Sequence, residues 1–298
     1  MIVSQALAVL GSLLVLFLIT SNELPSGVSP HSAVHRDEAP QKNGERDDRR
    51  IVDARLSPYS AIGKFRGSMT CTAAIVLNPR IIITAGHCVT ERDGTTRRSN
   101  LSFQPGYQTG SDLKRYQATI WAVGSRQSFA RESVREASRD WAILILDRAP
   151  AGVHPFLLNH HSLKALVSLE RQIFLPAYSN DIGHAELLSV DPACTVRGLV
   201  WNALIHTCLA QPGSSGAPLL LRDGPGYVII GIHTGSMFAS DNAGQVGRFI
   251  GNRAIASWMF SEAAFTLSRH LDGAAVQTVN AEITDLNRAE RIWLPTRK

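Results

Sequence analysis

The sequence predicts an all-β domain, a barrel or a sandwich, and three observations predict it. Apolar runs of about six residues, rich in Ile and Val and set off by turn signals, recur from Ile51 onward. No long helical pattern interrupts them before residue 253. The composition, 44% hydrophobic and 18% charged, suits a globular chain and excludes a disordered or coiled one. At 298 residues the chain can bury one large core or two modest ones.

The elements follow in order along the chain. Residues 6–20, ALAVLGSLLVLFLIT, are uncharged and apolar, a length that suits a signal-peptide core and is short for a bilayer span. MIVSQ carries no Lys or Arg and no A-x-A site follows, so an uncleaved anchor over 1–20 is the alternative. Residues 21–50 are polar, dotted with Pro and Gly, and read as a linker or propeptide. A single globular domain is expected over 51–271. Its clearest strands are CTAAIVL (71–77), RIIIT (80–84), ATIWAV (118–123), WAILIL (141–146) and YVIIGIH (227–233). The convincing helix comes late, over 253–271, with Asp272-Gly273 as its stop. The tail 272–298 has no assignment, and no internal repeat is visible.

The net charge of +5 is spread thinly, without a Lys/Arg block or the aromatic interleaving of nucleic-acid grooves, so no nucleic-acid partner is expected. The four cysteines, Cys71, Cys88, Cys194 and Cys208, allow three pairings, and the sequence does not choose among them. Two local bridges, Cys71–Cys88 and Cys194–Cys208, would suit an oxidising compartment and agree with export. No C-x-x-C occurs, which argues against zinc or redox chemistry. His160-His161 reads as a solvated loop, since no further ligands cluster near it in sequence.

Three short stretches carry the chemistry. His87 in TAGHC stands just past an Ile-rich strand, Asp140 in RDWAILIL just before another, and Ser215 in QPGSSGAP among small residues. Each alone reads as a turn or cap residue, but the three together define a constellation. A serine hydroxyl needs a base to take its proton. A neutral imidazole can do so near neutral pH, and a buried carboxylate fixes its tautomer and stabilises the imidazolium. Small residues let backbone N–H groups, here those of Gly213 and Ser215, converge on a developing oxyanion, where one donor is worth about 3–4 kcal/mol. An α/β-hydrolase elbow is excluded. It needs G-x-S-x-G and the order Ser, acid, His, whereas Ala217 holds the second glycine position and the order is His, Asp, Ser.

TAGHC, DWAIL and GSSGAP resemble the motifs of chymotrypsin-fold serine proteases, closest to the bacterial glutamyl-endopeptidase-like (V8-like) branch. ERDDRRIVDARLSPYSAIGKF, CTAAIVLNPRIIITAGHC and the cysteine ahead of PGSSGAP are similar to that branch over roughly residues 45–258. The resemblance implies two six-stranded antiparallel barrels, about 51–155 and 156–252, with the C-terminal helix packed on the second. It also implies His87 as general base, Asp140 as orienting acid and Ser215 as nucleophile, with Gly213 and Ser215 N–H as the oxyanion hole.

Two departures qualify what is carried over. Trypsin has an Asp before its nucleophile to receive a freed N-terminus, and this chain has uncharged Ser214, so Arg50-Ile51 is not expected to be an activation site. For substrate, the branch associates a His beside the cleft and nearby hydroxyls with an acidic P1 side chain. His233 and Ser236 match, while Ala210 stands where a hydroxyl is common. The expectation is a monomeric serine endopeptidase, secreted or periplasmic, acting on protein or peptide substrates without metal or organic cofactor. It would meet a membrane only if the N-terminal segment stays uncleaved. The rival from another class is a catalytically silent homologue acting as a binding module.

Overall fold

Three consecutive isoleucines show how the first barrel holds together. Ile81, Ile82 and Ile83 of β4 (Ile81–Thr84) are all buried, so both faces of this strand are covered. Each such side chain contributes roughly 1.5–3 kcal/mol. A strand buried on both sides must lie between neighbours, and β4 pairs with β3 (Thr70–Ile75) and β7 (Ala142–Leu146). With β2 (Ile62–Arg66), β5 (Ser102–Pro105) and β6 (Tyr116–Val123) they close into a six-stranded barrel. At its start β6 alternates, Tyr116 and Ala118 buried and Gln117 and Thr119 exposed, as one face against a core requires.

The computed structural model describes residues 47–273, apart from 92, 94, 98, 110–113, 125–137, 160–165, 168–171 and 241–245. The expected signal peptide or anchor, most of the linker, His160-His161 and the tail from 274 lie outside the described residues. Every strand read from the sequence falls on an observed strand, the last being part of the long β14.

The second half forms a nine-stranded sheet. Its strands are β1 (Arg50–Ile51), β8 (Leu157–Leu158), β9 (Ile173–Ala177), β10 (Ser189–Cys194) and β11 (Val196–Val200). They are completed by β12 (Ala203–His206), β13 (Pro218–Asp223), β14 (Gly226–Ser240) and β15 (Val246–Ala256). The order is β1-β10-β9-β13-β14-β15-β12-β11, with β8 parallel to β14. Trp201 and Asn202, both with positive φ, make the tight turn that joins β11 to β12. Residues 50 and 51 pair with β10 and so sit in this second sheet.

The C-terminal helix departs from the sequence reading at its start. Residues 253–256, taken there as its first turn, are the end of β15, because Ile255 and Ala254 pair with both β12 and β14. Helix begins at residue 261, after a 3₁₀ turn over Ser257–Met259. Its contacts reach the first barrel as well as the second sheet. Phe260, Ala264 and Leu267, at i, i+4 and i+7, are buried in the cluster that holds Ile75 and Leu144 of the first barrel together with Ile229 and Ile255 of the second sheet. Asn78 donates to Asp272 and the Trp121 ring stacks on His270, both from the first barrel.

Candidate active site

The pairing of β4 with β7 builds half of the site. They run antiparallel with Thr84 opposite Ala142, so the chain just past β4 meets the chain just before β7. His87 lies on the first of these, in the 3₁₀ turn Gly86–Cys88, and Asp140 on the second. His87 donates its backbone N–H to Asp140 Oδ1 at 2.8 Å, and its Nδ1 lies 2.8 Å from Asp140 Oδ2. Two contacts to one carboxylate fix both the turn and the ring. Asp140 is fully buried. Burial opposes its ionisation, but the His87 ring, its hydrogen bonds and the Arg253 guanidinium outweigh burial and hold the carboxyl below its usual range. A carboxylate accepting at Nδ1 requires that nitrogen to carry the proton, which leaves Nε2 as the basic atom.

The serine turn comes from the other half and is docked onto the first barrel. Thr72 of β3 donates its N–H to the Ser215 carbonyl at 2.9 Å and its hydroxyl to the Gly213 carbonyl at 2.9 Å. The Ser215 carbonyl also lies 3.9 Å from Cys88 Sγ, next to His87. Gly216, at φ +81, sits so close that a Cβ would fall 2.1 Å from Thr84 Oγ1 and 2.3 Å from the Thr72 carbonyl. The turn is therefore small because it touches backbone, not because it must flex. Ser215 itself is half-buried.

The turn's internal geometry sets the direction of its amides. Asn180 N–H donates to the Pro212 carbonyl at 2.8 Å. In a planar trans peptide the N–H points opposite to the C=O, so Gly213 N–H is directed away from Asn180. Among the described residues no backbone acceptor takes Gly213 N–H or Ser215 N–H. Ser214, in the place where trypsin carries Asp, is buried with its hydroxyl 2.6 Å from Ser179 Oγ.

The expected substrate-binding residues adjoin this turn. His233 closes it from the side, donating N–H to Ala217 O and accepting Gly216 N–H at 2.7 Å. Ser236 donates to Asn252 Oδ1 at 2.9 Å, and Asn252 Nδ2 donates to the Cys208 carbonyl at 2.6 Å, two residues before buried Ala210. The sequence reading missed His206, whose Nε2 lies 3.2 Å from His233 Nδ1 with the rings edge-to-face. Burial pushes its pKa down to about 3, so it stays neutral. It missed Thr72, Ser179 and Asn180 as well, for which no local motif gives a signal. The disulfides Cys71–Cys88 and Cys194–Cys208 are both formed. The first ties β3 to the His87 turn. Cys71, His87 and Cys88 lie close enough to suggest a metal site, but two sulfurs bonded to each other are not thiolates.

A closed β-barrel joined to a second sheet, with a His–Asp couple on one and a glycine-bounded serine turn on the other, defines the class: a serine peptidase of the chymotrypsin fold. The family model of the trypsin-like peptidase domain matches residues 71–232, more than half of the chain, and the chain belongs to that family. No curated protein matches it. Among solved structures it is similar to a Glu endopeptidase in complex with MPD, at 20% identity and a TM-score of 0.54. That match covers 74% of this chain and 97% of the other, a likeness of fold.

Proposed function

We propose that the protein is an exported serine endopeptidase that works through an acyl-enzyme, with His87, Asp140 and Ser215 as its triad. The observation that carries the reading is the doubly bonded His87–Asp140 couple beside the docked Ser215 turn. Ser215 Oγ attacks the scissile carbonyl while His87 Nε2 takes its proton, and Asp140 holds the imidazolium that results. Gly213 and Ser215 N–H receive the oxyanion as the carbonyl becomes tetrahedral. His87 returns the proton to the leaving amine, and a water then repeats the sequence to release the acid. An acidic P1 side chain is received beside His233 and Ser236, with neutral His206 behind His233. Both disulfides support an extracellular or periplasmic location. Among the described residues no helix is long and apolar enough to cross a membrane.

The test is labelling with a fluorophosphonate probe of wild type, Ser215→Ala and His87→Ala, followed by a P1-varied peptide library. Labelling confined to the wild type, with Glu or Asp enriched at P1, is expected. A folded wild type that takes no label would make the chain a silent homologue. Labelling with a neutral P1 optimum would remove the acidic pocket and leave the triad.

A further inference from the structure

Arg49 precedes the globular domain as the sequence delimits it, yet its side chain is only 6% exposed. Its guanidinium is held by two carboxylates. Nη1 and Nη2 donate to Asp181 Oδ1 and Oδ2, and Nε and Nη2 donate to Asp47, the Nε–Oδ1 distance being 3.0 Å. Its direction is fixed by the next residues, since Arg50 and Ile51 pair with Val190 and Ser189. Two-fold arginine–carboxylate forks fix orientation as well as distance.

The partner, Asp181, follows directly on a segment that touches every residue of the oxyanion turn up to Ser214. Asn180 N–H holds the Pro212 carbonyl, Ser179 Oγ meets Ser214 Oγ, and Gly213 packs on the Tyr178 carbonyl. Beyond Asp181 the segment has Ile182 half-buried and Gly183 and His184 exposed, with positive φ at Gly183, His184 and Ala185, and returns to the core at Ala185. Its far end is tied down by Glu186, which accepts from Lys64 and Tyr107 of the first barrel and its loop. At its near end the charged restraint among the described residues is Arg49.

We propose that Arg49 is a positioning residue for the oxyanion turn. Its fork to Asp181 keeps Asn180 N–H on the Pro212 carbonyl, and so keeps Gly213 N–H turned toward the anion. Without the fork, the Pro212–Gly213 peptide can rotate, because glycine accepts either orientation. The donor is then lost for part of the time. The chain thus does from its N-terminal segment, by a side chain, what a freed ammonium on an Asp would do, and Ser214 offers no such Asp. The active form must retain Arg49, so cleavage at Arg50–Ile51 inactivates. This rests on the reading of Gly213 N–H as an oxyanion donor.

The experiment uses the full chain as wild type, Arg49→Met, Asp181→Asn and the double variant. Arg55→Met, which breaks an exposed Arg55–Asp53 pair of the same kind, is the control. Steady-state kinetics on a fluorogenic peptide are read beside affinity for a peptide boronic acid, whose tetrahedral adduct needs the oxyanion donors. Complete loss of one donor costs about 10²–10³ in kcat. A partly rotating peptide should therefore cost about tenfold or more in each single variant, with KM within about threefold. Boronate affinity should fall in step, the double variant should match either single one, and Arg55→Met should keep wild-type kcat. Asp181→Asn is isosteric and keeps the test open if Arg49→Met folds poorly. Wild-type kcat in Asp181→Asn, additive losses in the double variant, or a rise in KM alone would overturn the proposal. So would an active exported form whose N-terminus is Ile51. If the wild type itself neither turns over nor labels, the functional reading fails first and takes this proposal with it.

Discussion

Gly213→Ala separates the two reasons a residue can be glycine. At φ +96 an added Cβ would fall 2.3 Å from the Tyr178 carbonyl, a backbone atom that cannot swing aside. Since Cβ contacts under 3.0 Å essentially do not occur, the turn must retreat by about 0.7 Å or more. A displacement of that order at a catalytic group costs about 10²-fold in rate. The left-handed backbone adds about 1–2 kcal/mol of strain. Gly224→Ala is the matched control, with φ +55 in the β13–β14 hairpin and nothing within 4 Å of the new Cβ. Gly224→Ala should therefore lose about 1–2 kcal/mol of stability and Gly213→Ala at least as much, a fall in Tm of about 2–4 °C for each kcal/mol. Only Gly213→Ala should lose kcat, by about 10²-fold, with KM little changed. Peptide turnover normalised to fluorophosphonate-titrated sites, together with thermal unfolding, gives both numbers. Wild-type kcat in Gly213→Ala, or an equal kcat loss in Gly224→Ala, would refute the close-approach argument.

Two further predictions follow from the buried titratable groups. Asp140→Asn presents an amide where His87 Nδ1–H needs an acceptor, so kcat at neutral pH should fall about 10⁴-fold with the fold intact; activity within tenfold of wild type would remove Asp140 from the triad. His206 is held neutral down to about pH 3, whereas the unfolded chain protonates it near its ordinary 6.5. The unfolded state therefore binds more protons between these values, and stability is present above about pH 6.5 and lost progressively as pH falls toward 3. At pH 4 that loss is about 3 kcal/mol. His206→Gln should flatten the fall in urea midpoint between pH 7 and 4 relative to wild type, and parallel curves would show that His206 does not carry it.

What could be read in the sequence was whatever is local. The strands were legible because runs such as RIIIT and WAILIL are too short for a helix and too apolar for a surface. His87, Asp140 and Ser215 were legible because each stands at the boundary of such a run or inside a distinctive cluster of small residues. The helix start was misplaced because Ala254, Ile255 and Ala256 carry apolar side chains that suit either element, and pairing with β12 and β14 decides the matter. Thr72, Asn180 and Arg49 were illegible for a different reason. Each is an ordinary polar residue whose role comes from a partner far away in sequence, Gly213 for Thr72 across 141 positions and Asp181 for Arg49 across 132. The same holds for His206, meaningful only once β15 brings its strand beside that of His233.

The division of labour between the two halves explains why QPGSSGAP is built of such small residues. One half carries the His87–Asp140 couple and the other the Ser215 turn, so the proposed chemistry depends on the seam between them. Thr72 is where that seam is made. Its N–H takes the Ser215 carbonyl, its hydroxyl takes the Gly213 carbonyl and accepts Tyr178 N–H, and its own carbonyl accepts the Thr84 hydroxyl at the end of β4. One short residue, through its backbone and its hydroxyl, thereby fixes the serine turn, the segment behind Gly213 and the strand that leads to His87. Long side chains at this seam would be held only at their ends and could adopt several rotamers. Backbone groups, hydroxyls and glycines leave no such freedom, and the reacting atoms inherit their precision. Glycine at 213 and 216 and threonine at 72 are thus parts of one joint, and a larger residue at any of them loosens the others.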